Sequence, residues 1–570
     1  MILLIKNAQV FQTFKQAFAK KDILIKDNKF YQIANNIDAP YDKLIDATNK
    51  YIIPGLIDIH MHIESSMTIP SRFSEAVLPF GTTSVVADPH EIANIFGLEG
   101  IKSNMNCETM LDIFYGIPSS VPSTTLELET TGGSIGLEEV ENLLQEDKVL
   151  CLGEVMNFND LISSEETLIK KIIELCQRVK PTMPIEGHCP KVSGEALSAF
   201  IHAGVTADHT QQTPESIVEK INSGMFLEIQ KKSITPETMA IIEEHQLYEY
   251  IALVTDDVMV DILDEGHLNL IIKKAVACGM PLEKAIYCST YTPARRMNLQ
   301  DRGAIAPGLI ADFIMLETLE DFKIEAVYKN GVVVFDEMTR FKERHDYKFP
   351  PHFYESIKCH KASASDFVVT SSVNGTAICN VIQTEFKSTF TKAVKKEVTV
   401  VDNVLQYEQE NLCLLTIFER HGKNFNKSQA FVVNALTHRG AIATSWAHDH
   451  HNVMVLGNDA DDMALAQQEI CEMQGGYVVV AGGKVIAHAR LEIGGIVSEA
   501  PIAELGRYLR EVREAMKSLG YHSHNEIMSF STLSLPVSPE IKVTDKGIML
   551  TRTQTFIPLI EEVKHEDSCL

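Results

Sequence analysis

The chain has 570 residues, 45% of them hydrophobic and 22% charged, which is ordinary for a soluble globular protein but too long for a single core; roughly two to four domains are expected. Its 77 acidic residues exceed the 51 basic ones, and a net charge of −26 argues against nucleic acid, anionic membranes and phosphorylated substrates, leaving a small neutral or cationic substrate. The 11 Cys contain no Cys-x-x-Cys pair, no apolar run approaches a membrane span and the amino terminus has no basic leader region, so reduced thiols and a cytoplasmic location are expected.

From the amino terminus, "MILLIKNAQVF" and "DILIKDNKFYQIANNI" read as short strands with a turn at Asp27-Asn28. A similar fragment, "AVYKNGVVVF", returns at Ala326–Phe335. The two flanks of a long insertion are therefore expected to share a small β-sandwich domain, residues 1–53 with 303–345. Between them run eight strand-like segments: "IIPGLIDIH", "GTTSVVAD", "DIFYGIPSSVP", "VLCLGEVM", "MPIEGHC", "GVTADHT", "GMFLEI" and "YIALVTDD". Helical patterns such as "SEETLIKKIIELCQRVK" and "TPESIVEKINS" fill the intervals. Eight such units in about 250 residues predict an α/β fold, a (β/α)8 TIM-type barrel over 54–302. The rival is a doubly wound open sheet, but no Gly-rich nucleotide fingerprint follows any strand. "KFPPHFYESIK" reads as a linker or lid, and 346–570 as a separate C-terminal α+β domain. Within it, "DADDMALAQQEICEM" predicts an amphipathic helix and "GGYVVVAGGKVIAHARL" a hairpin.

Chemistry in such a barrel sits where the strands end. The first run ends in His60 and His62, whose i, i+2 spacing aims both imidazoles at one spot. The fourth ends in Glu154, the fifth in His188, the sixth in His209, the seventh near Glu228 and the eighth in Asp256-Asp257. The second ends at Asp88, ahead of His90 and Glu91. Imidazoles and carboxylates are the ligand set of Zn, Fe and Mn. Two further His-x-His pairs occur. His522/His524 has no carboxylate block nearby and is expected at the surface, whereas His448-Asp449-His450-His451 stands as an active-site, metal-binding or structural cluster.

These residues resemble the amidohydrolase superfamily, in which strand one carries His-x-His, strand four a bridging Lys or carboxylate, strands five and six one His each, and strand eight an Asp. More closely, "PGLIDIHMHIESSM", "ADPHEIANIFG", "LGEVMNF", "EGHCP", "VTDD" with "DEGHL", and "AHDHHN" followed by "QGGYVVV" resemble blocks of the bacterial adenine deaminase family over essentially the whole chain. A carboxylated Lys is the commonest bridge in the superfamily; here the position is Glu154, as in adenine deaminases.

The resemblance implies hydrolytic deamination of adenine to hypoxanthine and ammonia, a purine-salvage reaction, by a hydroxide between two divalent metal ions, Mn(2+) favoured over Fe(2+) or Zn(2+). It places His60, His62, Glu154, His188, His209 and Asp256 as metal ligands, with Asp256 also shuttling the proton. Glu64, Asp88 and Glu91 remain alternatives for protonating the ring or holding the purine edge; Ser65, His90, His448 and His450 complete the candidate substrate contacts. The alternative activity is hydrolysis of another aminopurine or a cyclic amide, and a non-catalytic scaffold is disfavoured because every ligand position is filled. A homo-oligomer is expected on general grounds.

Overall fold

Apolar runs bounded by turn residues become strands throughout the chain, for which a computed structural model describes residues 1–386, 388–433 and 435–564. The last six residues of the expected C-terminal domain lie outside the described ones. Eight parallel strands follow one another in sequence order: Leu56–Met61, Thr82–Ala87, Asp112–Ile117, Val149–Val155, Ile185–Gly187, Ala207–Asp208, Phe226–Ile229 and Ile251–Leu253. The first two are buried at every position, which explains their near-continuous apolar character. Two hydrogen bonds close the ring. Thr206 N donates to Ile185 O (2.9 Å) between strands five and six, and Asp256 N donates to His60 O (3.1 Å) between strands eight and one. The sheet is a closed barrel.

Helices alternate with these strands, among them Leu168–Val179, Pro214–Asn222 and Pro236–Glu244. The latter two start on Thr-Pro pairs. Thr213 and Thr235 accept hydrogen bonds from the N–H of Ser216 and Thr238, while the following Pro occupies the first turn, where no backbone N–H is needed.

One predicted run divides. "IIPGLIDIH" leaves a first sheet at Pro54 and enters the barrel at Leu56. Gly55 makes the passage, and a Cβ there would lie 2.2 Å from Thr83 Oγ1. Strand Tyr51–Pro54 pairs with Ile2–Gln12 on one side and Phe313–Thr318 on the other. Both flanks of the barrel thus contribute to one eight-stranded sheet, and Ile5, Ile23, Phe313 and Tyr328 share its core.

The chain divides into two compact units. The first contains Met1–Pro89, Asn104–Ser119 and Gly136–Tyr347; the second contains Lys348–Leu570 together with two excursions from the barrel region, His90–Ser103 and Ser120–Ile135. Within the second unit these excursions are joined to each other, Gly132 N donating to Asn94 O (2.7 Å), and to the later chain, Thr130 N donating to Asp545 Oδ1 (2.8 Å). The second unit is built on a ten-stranded sheet covered by the helix Ala460–Met473, which Asp459 caps. The hairpin Gly476–Ala481 with Lys484–Arg490 turns at Gly482-Gly483. His522 and His524 are exposed. Among the described residues no helix is long and apolar enough to cross a membrane.

Candidate metal-dependent active site

Because all eight strands are parallel, their C-terminal ends meet on one side of the barrel, and the expected residues converge there. Glu154 is the centre. Its Oε1 lies 3.5 Å from His62 Nε2, and its Oε2 lies 2.8 Å from His188 Nδ1 and 3.3 Å from His209 Nε2. Asp256 Oδ1 is 3.7 Å from His62 Nε2, and the rings of His60 and His209 stack with centroids 3.7 Å apart. His60, Glu154 and His209 form one group with the donor spacing of a metal site; His60, His62 and Asp256 form another.

The hydrogen bonds behind the rings say what these atoms need. His62 Nδ1 meets Asp88 O at 3.0 Å, and His209 Nδ1 meets Gly187 O at 3.1 Å. A carbonyl only accepts, so both Nδ1 atoms carry the proton, and each Nε2 turns a lone pair toward the Glu154 carboxylate. His60 repeats the pattern. Its Nδ1 faces Glu228 Oε2 at 3.1 Å, and its buried Nε2 has no hydrogen-bond partner. Lone pairs and carboxylate oxygens repel unless a cation lies among them. The donor set therefore fits a divalent metal ion.

Charge is consistent with this arrangement. Burial and the neighbouring His60 hold the His209 pKa well below the imidazole range, so its Nε2 lone pair is free at neutral pH. Burial alone would raise the Glu154 pKa, but the histidines, His209 foremost, hold it well below the usual carboxylate range. Burial and the Glu186 carboxylate push Glu228 up to about 8. Burial also opposes charge on His60, yet the Glu228 carboxylate outweighs it and raises the His60 pKa, which favours a proton on Nε2 as well, and a metal ion would take the place of that proton.

Beneath the ligands, carboxylates tie neighbouring strand ends together. Asp88 Oδ2 accepts from Glu154 N (2.9 Å). Asp58 accepts from Thr255 N and Oγ1 (3.2 and 2.6 Å) and from His60 N (3.3 Å), joining strands one and eight. Asp208 Oδ1 accepts from Cys189 N (3.0 Å), joining strands five and six, and its Oδ2 pairs with the buried Lys220 at 2.7 Å. Gln230 Nε2 donates to Asp256 Oδ2 (2.6 Å), and Asp256 itself has a left-handed backbone, φ 60°. Asp58, Asp208 and Gln230 carried no sequence signal beyond being polar within apolar runs or at their ends, and Lys220 none beyond its place in a helix. The remaining barrel candidates face other partners. Glu64 Oε1 accepts from Asn104 Nδ2 (2.8 Å), and Ser65 Oγ donates to Asp257 Oδ1 (2.6 Å).

Four candidates, His90, Glu91, His448 and His450, belong to the second unit. There Glu91 is fully buried and gripped from both sides. His448 Nε2 lies 2.8 Å from its Oε1, His451 Nε2 contacts its Oε2, and His90 Nε2 is 3.7 Å from Oε1. Burial would raise the Glu91 pKa; His448 and His451 hold it well below the usual range. His450 does not join this grip, since its Nδ1 accepts from Asn452 N (3.0 Å). The second histidine on Glu91 is thus His451, which the alternating spacing of His448 and His450 does not single out. Arg420, also buried, donates through Nε to His451 O. His90, Glu91 and Asp449 also have metal-compatible donor spacing.

A closed parallel barrel with histidines and a central carboxylate at its mouth defines a metal-dependent hydrolase of the amidohydrolase class, and residues 51–334 match the family model described as "Amidohydrolase family". Residues 388–555 match the "Adenine deaminase C-terminal domain". Over 98% of its length the chain is 51% identical to "Adenine deaminase 2" of Oenococcus oeni, covering 98% of that protein. It is 49% identical to "Adenine deaminase" of Clostridium perfringens and 47% identical to that of Lactobacillus delbrueckii subsp. bulgaricus, in each case over 98% of this chain and 99% of the relative. The chain belongs to the adenine deaminase family.

Proposed function

We propose that this chain hydrolyses adenine to hypoxanthine and ammonia at the mouth of its barrel, as a purine-salvage enzyme of the cytoplasm. The observation that carries the substrate is the span of the likeness to proteins named adenine deaminase: 51% identity over 98% of both chains, C-terminal domain included. The family requires a divalent metal. The finer reading is two ions, Mn(2+) favoured, with His60, His62, Glu154, His188, His209 and Asp256 as the residues that would hold them. Bound there, the ions supply a hydroxide at neutral pH by lowering the pKa of water.

The chain's own residues do the rest. Glu154 directs one oxygen toward the strand-one histidine His62 and the other toward His188 and His209, which supports a bridging role. Asp256, steadied by Gln230, takes the proton of the attacking hydroxide and delivers it to the amine leaving C6. A ring nitrogen must also gain a proton. Glu91 is held ionised by two histidines and is a poor donor at neutral pH, which favours Glu64 for that step. Ser65 and Asp88 are the barrel residues assigned to the purine edge.

The test is ammonia release from purified protein reconstituted with Mn(2+). Adenine should be turned over, whereas adenosine, guanine and cytosine should be poor substrates. Equal turnover of adenine and adenosine, or ring opening without ammonia, would overturn the assignment.

A further inference from the structure

Cys359 and Cys471 are 112 positions apart in sequence, and their sulfurs lie 3.6 Å from each other in the second unit. Cys359 is half-buried in an irregular strap, while Cys471 is buried on the helix Ala460–Met473. Side chains of that helix and the residue after it hold the strap down. Ile357 N donates to Gln474 Oε1 (3.1 Å), Ala362 N to Gln467 Oε1 (2.8 Å), and Gln468 Nε2 to Ala362 O (2.7 Å). Gln467 lies one turn before Cys471 and also directs its amide N–H groups at both sulfurs, 3.5 Å from Cys359 and 3.3 Å from Cys471. Amide donors aimed at sulfur favour thiolate over thiol. The contact with Cys359, aided by Lys361 and the Gln467 amide, lowers the Cys471 pKa against burial, and the same contact together with burial raises that of Cys359, so Cys471 holds the thiolate of the pair.

We propose that Cys359 and Cys471 form a reversible dithiol–disulfide site, oxidised by thiol–disulfide exchange with a low-molecular-weight disulfide. The more exposed Cys359 attacks one sulfur of that reagent as it gives up its proton to the Cys471 thiolate, the reagent's S–S bond breaks, and its first thiolate leaves, taking that proton. Cys471 thiolate then attacks the Cys359 sulfur, the protein S–S bond forms, and the second reagent thiolate leaves. The two protons lost by the cysteines end on the two released thiols, and the reagent gains the two electrons that the cysteines lose. Bond formation needs the sulfurs to close to about 2.0 Å. Cys359 can supply that movement, because its segment is neither helix nor strand.

The bond reaches further than its two residues. On the same strap, Lys358 N donates to Arg420 O (2.8 Å), and Arg420 Nη1 donates to Ser356 Oγ (2.9 Å). Arg420 Nε in turn holds His451 O. A disulfide would pin the strap that seats Arg420, and through it the loop carrying His448 and His451.

The experiment uses the full-length protein, fully reduced and then exposed to oxidised glutathione, alkylated, digested and analysed by mass spectrometry. The expected result is a linked peptide joining Cys359 to Cys471 and two fewer free thiols per chain. Dithiothreitol should reverse both, and the melting temperature of the oxidised form should be higher, as expected for a cross-link closing a long loop. Cys471→Ser should instead accumulate glutathione on Cys359, and Cys359→Ser should form neither product at this site. Glutathione stopping on Cys359 of the unaltered protein would overturn the proposal. So would a pair that stays reduced at a glutathione disulfide excess that oxidises the guanidine-unfolded chain.

Discussion

Glu154 and Glu91 are buried carboxylates that each face more than one histidine, and they sit in different surroundings. At the barrel mouth, backbone carbonyls take the Nδ1 protons of His62 and His209, so Glu154 meets lone pairs. In the second unit, Glu91 meets Nε2 of His448 and of His451, and the His451 Nδ1 has no hydrogen-bond partner. There His451 can present Nε2–H to Glu91, whereas His448 Nδ1 lies 2.8 Å from Ser531 Oγ, whose proton goes to Trp446 O, so His448 gives Glu91 an N–H when its ring is protonated. The residue inventory is the same in both places. What differs is the partner behind the ring: backbone carbonyls fix the proton on Nδ1 of His62 and His209, and none does so for His451.

The largest expected effect breaks the first half of this contrast. Glu154→Gln keeps the shape but removes the charge that would hold two cations close, so metal content, measured by elemental analysis, should fall together with ammonia release. His60→Ala and His188→Ala should do the same while the protein stays soluble. Asp256→Asn keeps an oxygen in place but cannot accept a proton. It should retain most of its metal and lose roughly 10²–10⁴-fold in kcat. Full metal occupancy in Glu154→Gln would show that the carboxylate is not a ligand.

Next in size is the clamp under the strand-five and strand-six histidines. Lys220 and Asp208 are both buried, so Lys220→Met leaves a carboxylate without its counter-charge, at a cost of about 3–5 kcal/mol in denaturant unfolding. The sign with pH is definite. In the unaltered protein Lys220 and the hydrogen bonds outweigh burial and depress the Asp208 pKa, so the pair stabilises the fold above the ordinary carboxylate pKa of 3.8, and acid removes that stability. Without Lys220, burial dominates and the pKa rises. The variant's deficit should therefore shrink as pH is lowered toward 4. A deficit independent of pH would mean that Lys220 matters for packing alone.

The fold was legible because it is written in periodicity: eight apolar runs, each followed by a helical pattern, became eight strands. The barrel candidates were legible because strand ends face one way, so His60, Glu154, His188, His209 and Asp256 could be placed without knowing a contact. The Glu91 cluster was only partly so. His448 and His450 look paired by alternation, but the segment is no strand, and the turn brings His451 to Glu91 instead. Asp58 and Asp208 were invisible as clamps, since each accepts from a backbone N–H distant in sequence, Thr255 N and Cys189 N, which no residue pattern encodes.

A smaller effect sharpens the second half of the contrast. Glu91→Gln removes the anion between His448 and His451 and should leave metal content unchanged while lowering stability. Both shifts act in one direction. Glu91 is depressed by its histidines, and burial depresses His451 to about 4, so each stabilises the fold at neutral pH and loses that contribution as pH falls, His451 from about 6.5 downward. The variant loses the anion that raises the His451 pKa, so the His451 contribution persists between pH 6.5 and 4, and its acid-stability profile should be flatter only below about pH 4.5, where Glu91 titrates in the unfolded chain. Metal loss in Glu91→Gln would erase the distinction drawn between the two carboxylates.

The smallest expected effect is at Asp257, the neighbour of the proposed proton shuttle. Its Oδ1 takes the hydroxyl of Ser65 at 2.6 Å, whereas Asp256 directs its oxygens at His62 and Gln230. Asp257→Asn keeps an acceptor for Ser65 and touches none of the lone-pair histidines, so metal content should be unchanged and kcat should drop by less than about tenfold, against the roughly 10²–10⁴-fold expected for general acid–base loss. Ser65→Ala removes that hydrogen bond outright and should cost at least as much as Asp257→Asn, which keeps it. If Asp257→Asn is inactive while Asp256→Asn works, the shuttle belongs to the second Asp, and the left-handed backbone at Asp256 serves to aim its neighbour rather than itself.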